Sequence, residues 1–123
     1  REEAARLFGG GQAPEISGTA IQVPTFFGCC LAVVVRLSRP ATAEALRSAL
    51  KAAPGVKLLD EPAGKVYPMP MLCTADPSIH VGRVRMLPGT TDRAALFIAI
   101  DNAGRGAALN AVEIGELLAR KQA

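Results

Sequence analysis

Aromatic residues make up only 4% of this 123-residue chain, and its basic residues are scattered, with no run of five or six. Those two shortages remove the usual footprint of a nucleic-acid binder, a basic stripe interleaved with stacking aromatics. The balance of 14 basic against 11 acidic residues, a net +3, is too small to restore it. No apolar run approaches the roughly 18 residues of a membrane-spanning helix, because Arg36 and Arg39 end the longest one. The opening REEAARL has neither the basic start nor the apolar core of a secretory signal, so the sequence reads as that of a cytoplasmic protein. Histidine occurs once, at His80, and cysteine at Cys29, Cys30 and Cys73. With one imidazole and no C-x-x-C spacing, no metal site is expected. Three cysteines without a signal read as reduced thiols. The neighbours Cys29 and Cys30 would point to opposite faces of a strand and make a poor disulfide.

Half the residues are apolar and a fifth are charged, ordinary proportions for a folded chain of one domain. Helical spacing over Glu2 to Phe8 stops at the glycines 9 to 11. Partial alternation predicts a strand over Ile16 to Val23, ended by Pro24, and clearer alternation predicts a neighbouring strand over Cys30 to Leu37. Thr42 is a good helix N-cap, Glu44 suits the first turn, and Leu46, Ala49, Leu50 and Ala53 form an apolar stripe that ends at Pro54 and Gly55. A short strand over Val56 to Leu59 leads into a long, proline-rich irregular segment, Asp60 to Ser78, in which YPMP (Tyr67 to Pro70) cannot be regular helix. Strands are expected over His80 to Leu87 and Ala94 to Asp101, joined by the hairpin-sized PGTTDR. A last helix is expected over Arg105 to Arg120, apolar on more than one face and therefore buried on two sides. The order predicts an α+β or α/β domain, and of the two α+β is expected: a mixed, largely antiparallel β-sheet with helices packed on it.

The segments VPTFFGCCLAVVVRL, APGVKLLDEP, YPMP, HVGRVR and above all DNAGRGAALNAVEIGELL carry a resemblance. Nearly the whole chain, in order and spacing, is similar to the C-terminal catalytic and dimerisation domain of the aspartate-semialdehyde dehydrogenase family. The pattern D-N-x-x-x-G-A-A-L-N-A-V, Asp101 to Val112, is its most specific part. The resemblance implies an enzyme that interconverts aspartyl phosphate and aspartate semialdehyde with NADP, and a homodimer built through the sheet. It also implies a Rossmann domain, carrying the nucleophilic cysteine, upstream of residue 1. Residues 1–123 would then be a fragment lacking that domain, which accords with a chain opening without methionine inside a helical pattern. The helix over 105–123 is expected to return to the missing domain.

The likeness fails where catalysis would sit. The family's G-H-S segment, whose histidine is the general acid/base, falls on Gly28, Cys29 and Cys30, so Cys29 takes the histidine's position. The arginine that holds the substrate carboxylate falls on Gln22. An imidazole near pKa 6.5 holds and delivers a proton at neutral pH, whereas a thiol, ordinarily near 8.5, is a poor base. Glutamine lacks the charged fork that clamps a carboxylate. Two readings of the thiols stay open: small packing residues in a degenerate site, or a new nucleophile or redox thiol at Cys29. Asn102 and Gly106 fall where the family meets the nicotinamide; an Asx turn in the DNAGRG corner is the competing reading of Asn102. Arg83 and Arg85 are expected on one solvated strand face and His80 at a strand end. The sequence thus resembles most the Usg-type non-catalytic paralogues, with little or no dehydrogenase activity expected. An active oxidoreductase on a related aldehyde or acyl phosphate, with a different base, is the alternative.

Overall fold

Val33, Val34 and Val35 favour extended backbone, because two heavy atoms on Cβ restrict their rotamers in a helix. In the computed structural model, which describes residues 6–7 and 14–122, they lie within strand β1, Cys29–Arg36. Thr42 caps helix α1, Ala43–Ala52: its hydroxyl accepts the Ala45 N–H at 3.2 Å, with Glu44 in the first turn and Lys51 in the last, as the helix dipole favours. Gly55, at φ +74°, turns the chain into the short strand β2, Val56–Leu58. Pro70 opens the one-turn helix α2, Pro70–Cys73, at a position whose N–H would have had no helical partner. Strands β3, Ile79–Met86, and β4, Arg93–Ile100, form a hairpin, and helix α3 runs Ala108–Gln122.

The strands lie in the order β1-β4-β3-β2. β4 pairs antiparallel with both β1 and β3, and β2 pairs parallel with β3, so the sheet is mixed and largely antiparallel, as expected. Directly opposed residues share a face. One row crosses all four strands as Cys30, Ala99, His80 and Lys57, and the next on that face is Ala32, Phe97 and Gly82. The irregular segment packs closely over it: a Cβ on Gly82 would lie 2.0 Å from the Leu59 carbonyl oxygen and 2.6 Å from Pro68 Cδ. The core is made of small side chains, Val81, Val84, Ala94, Ala95, Ala99 and Cys73.

β3 is interrupted by a bulge between Gly82 and Arg85, where Arg83 takes φ +54°. The bulge is held by side chains. Asp60 Oδ2 accepts the Val84 N–H at 3.3 Å, Arg47 Nη2 donates to the Val84 carbonyl at 2.7 Å, and Arg47 Nε donates to Asp60 Oδ2 at 2.7 Å. Arg83 and Arg85 are both exposed beside the bulge, and Arg85 Nη1 donates to the Arg83 carbonyl.

Several expectations need correction. Residues 14–27 form no strand and are exposed throughout, so the strand expected over Ile16 to Val23 is absent. Its alternation placed Ser17 and Thr19 on the same face as Ile21 and Val23, too little apolar surface to hold it, and β1 takes β4 as its neighbour instead. The irregular segment contains α2 and an isolated bridge between Glu61 and Val66. The last helix starts at Ala108, because Asp101 and Gly104 tie residues 101 to 109 into a turn through the Gly106 N–H to Asp101 carbonyl and Leu109 N–H to Gly104 carbonyl bonds. That helix is not buried on two sides: Val112, Ile114, Leu117 and Leu118 are exposed. The helix expected over Glu2 to Phe8 lies outside the described residues except for Arg6 and Leu7.

Candidate functional site

The Gly28–Cys29–Cys30 corner, helix α2 and the DNAGRG turn meet at one end of the sheet. Gly28 adopts φ +88°, a region that glycine enters without steric cost. Its backbone N–H donates to Asn102 Oδ1 at 2.9 Å. A Cβ on Gly28 would lie 3.1 Å from Pro70 Cβ and 3.4 Å from Cys73 Sγ, so α2 sits directly on this corner. The Gly28 bond commits the Asn102 carboxamide oxygen and leaves its two N–H donors for a ligand.

Asp101 anchors the turn. Its Oδ2 accepts the Ala75 N–H at 2.9 Å and its Oδ1 the Ala103 N–H at 2.9 Å. These bonds, with that to Ala75 foremost, hold its carboxyl below the usual carboxylate range. Arg105 is also committed: Nη1 and Nη2 fork onto Glu113 at 3.1 and 2.7 Å, and Nε donates to the Pro77 carbonyl. Gly106 is required by packing, since a Cβ there would lie 2.8 Å from Asn102 Cα and 3.0 Å from the Asp101 carbonyl oxygen.

Cys29 and Cys30 are exposed and Cys73 is buried. Cys73 Sγ donates to the Pro70 carbonyl at 3.0 Å. Burial pushes its thiol up, and the Asp101 and Asp76 carboxylates push the same way. The Cys30 thiol is also raised, first by desolvation and then by the neighbouring Cys73 and Cys29.

His80 stands near the start of β3, at the strand end expected for it, but it is buried. It is only 1% exposed, because its row neighbour Ala99 is small and leaves room for a ring. Its Nε2 is 2.8 Å from Asp76 Oδ2, which also accepts from Lys57 Nζ at 2.9 Å, while Asp76 Oδ1 accepts the Ser78 N–H. Lys57, then His80 and Ser78, hold the Asp76 carboxyl well below the usual carboxylate range. His80 Nδ1 is buried without a partner.

The structure therefore brings Asn102 and Gly106 to the corner that carries Cys29. Gln22 lies in the exposed segment 14–27, on no element. Sequence reasoning missed Cys73, Asp101 and Asp76; the only signal for any of them was the DNAGRG corner, which marks Asp101 as an anchor. Among the described residues no group of three or more His, Cys, Asp or Glu side chains is arranged to hold a metal ion, and no helix is long and apolar enough to cross a membrane.

Residues 8–104 match the family described as semialdehyde dehydrogenase, dimerisation domain. The aspartate-semialdehyde dehydrogenase of Mycolicibacterium smegmatis is 39% identical over 123 residues, covering 97% of this chain and 33% of that protein. That of Streptomyces akiyoshiensis is 40% identical over 105 residues, 85% of this chain and 29% of that one. The solved structure of a probable aspartate-semialdehyde dehydrogenase from Pseudomonas aeruginosa superposes with a TM-score of 0.74 at 34% identity, covering 83% of this chain and 30% of that one. The chain spans about a third of the length of these relatives. Sequence and fold agree, and the chain belongs to the aspartate-semialdehyde dehydrogenase family, as its C-terminal dimerisation domain.

Proposed function

We propose that this chain is the assembly domain of an aspartate-semialdehyde dehydrogenase homologue, of the Usg-type non-catalytic kind, whose general acid/base has been lost. The observation that carries the reading is the fate of the chain's single imidazole. His80 is buried inside the sheet with Nε2 on Asp76, so it cannot replace the histidine whose position Cys29 takes in the family resemblance. An acid/base group must reach the transferred proton directly or through one water. A glutamine at position 22 leaves the substrate carboxylate without its charged clamp.

Part of the cofactor corner persists. Bound NADP supplies or accepts the hydride; toward it this chain offers the free N–H donors of Asn102, which suit a nicotinamide carboxamide oxygen. Gly106 supports this only by letting the turn close beneath Asn102. The assembly role rests on uncovered apolar surface. Val34 of the edge strand β1 is 63% exposed and Phe26 97%, with Phe27, Met71 and Leu72 also exposed. A second copy seated on the sheet would cover such a surface, as a homodimer requires. The apolar side chains of α3 would be covered by the upstream domain, and a cytoplasmic location goes with the same reading.

The test is phosphate-dependent reduction of NADP by aspartate semialdehyde, measured on the complete polypeptide and on its Cys29→His, Gln22→Arg double variant. The parent should be silent, and restoring the base should raise turnover by about 10²–10⁴-fold. A parent that turns over at ordinary dehydrogenase rates overturns the proposal and favours an active oxidoreductase with a different base.

A further inference from the structure

Cys73, from a different part of the sequence, packs against the corner from which Cys29 and Cys30 run. A Cβ on Gly28 would lie 3.4 Å from Cys73 Sγ. Cys30 stands in the row of Ala99 and His80, and the His80 ring on that face meets Asp76, three residues beyond Cys73, so Cys30 projects to the side on which Cys73 lies. Cys29 projects to the other face. Cys73 is fully buried while Cys30 is exposed, so peroxide in solvent reaches Cys30 first.

We propose that Cys30 and Cys73 are an oxidisable thiol pair, in which a peroxide oxidises Cys30 and Cys73 resolves the product to a disulfide. In the first step the Cys30 thiolate attacks one oxygen of hydrogen peroxide. An S–O bond forms, the O–O bond breaks and hydroxide leaves, so the sulfur is oxidised by two electrons to a sulfenic acid and the peroxide is reduced. In the second step Cys73 gives up its proton and attacks that sulfur. The S–S bond forms, the S–O bond breaks and water leaves. The sum is two thiols and one peroxide giving one disulfide and two waters.

Closure brings the sulfurs to about 2.05 Å and pins α2 to the edge strand, beside the bond between Gly28 and Asn102. Both thiols are raised, so the reaction is slow at neutral pH and speeds up as the pH rises, because the thiolate is the attacking form. The oxidised state would therefore accumulate under sustained rather than brief peroxide exposure.

The experiment is peptide mapping of the complete polypeptide after hydrogen peroxide, without reductant, on the parent and on Cys29→Ala, Cys30→Ala and Cys73→Ala variants. Circular dichroism establishes that each variant is folded, and Cys73→Val is the substitute if the alanine variant is not. The expected result is a linked pair of peptides, one holding Cys29 and Cys30 and the other Cys73, in the parent and in Cys29→Ala. The link should fall by at least about tenfold in Cys30→Ala. Cys73→Ala should stop at a sulfenic acid on Cys30 that dimedone traps. A link that persists in Cys30→Ala, a link that forms only between two molecules, or a parent that keeps all three thiols free overturns the proposal.

Discussion

The Gly28 backbone N–H and the Asn102 side-chain oxygen meet at 2.9 Å, tying the corner before β1 to the turn that leaves β4. The bond spans most of the chain, and it orients the amide whose free donors remain for a ligand. Asn102→Ala removes the acceptor while the Gly28 N–H stays where the sheet puts it. The expected cost is about 0.5–1.5 kcal/mol, read as a lower urea midpoint with an unchanged slope. An unchanged midpoint would show that water replaces the side chain fully.

Two glycines differ sharply in what surrounds them. A Cβ on Gly82 would lie 2.0 Å from the Leu59 carbonyl oxygen, a backbone atom that cannot step aside, whereas a Cβ on Gly18 meets nothing within 4 Å. Gly82→Ala should therefore cost about 3 kcal/mol or more through overpacking, and Gly18→Ala should stay within about 0.5 kcal/mol of the parent. Parallel denaturant titrations of the two variants check this.

Asp76 links Lys57 and the buried His80. Because its folded carboxyl titrates below the unfolded value near 3.9, its contribution is complete above about pH 5 and fades as the pH falls through the acid range. Asp76→Asn should lower stability at pH 7 and flatten the decline below pH 5. An acid profile of thermal midpoints that matches the parent in shape would refute the assignment.

The β3 bulge depends on the pair of Arg47 and Asp60, whose side chains are 30% and 3% exposed. Arg47→Ala leaves a buried carboxylate facing only the Val84 N–H, at an expected cost of about 2–3 kcal/mol, reduced by the solvent reaching Arg47. The double variant Arg47→Met, Asp60→Leu should recover much of that loss, and a thermodynamic cycle over the four proteins measures the coupling.

Val34 lies on the open edge strand. The chain is expected to sediment as a dimer at micromolar concentration, and Val34→Glu should shift it towards monomer by placing a charge in the buried contact. Identical sedimentation of parent and variant would move the interface away from this strand.

Much of the local structure was legible. Thr42, Glu44 and the Pro54–Gly55 stop marked α1 at both ends, because caps and turns act within a few residues. The alternation of Leu31, Val33 and Val35 marked β1, and PGTTDR marked the hairpin. The segment at Ile16 to Val23 misled, since strand-like composition says nothing about whether a partner edge is available. The burial of His80 and the late start of α3 were invisible for a similar reason. The first depends on Ala99, from the next strand, and the second on bonds that Asp101 and Gly104 make within their turn.

By itself the sequence determined the types of the long elements from Cys30 onward, the mixed sheet and the family, together with the residue types at positions 22 and 29 that set the expected chemistry. These are properties of short windows and of motif spacing. Only the tertiary structure decided that β4 separates β1 from β3, that Asn102 grips Gly28, that the sole imidazole is locked on Asp76, and that Cys73 packs against Gly28. Each of those contacts is made between segments distant in the chain, and its energy exists only once the sheet has brought them together.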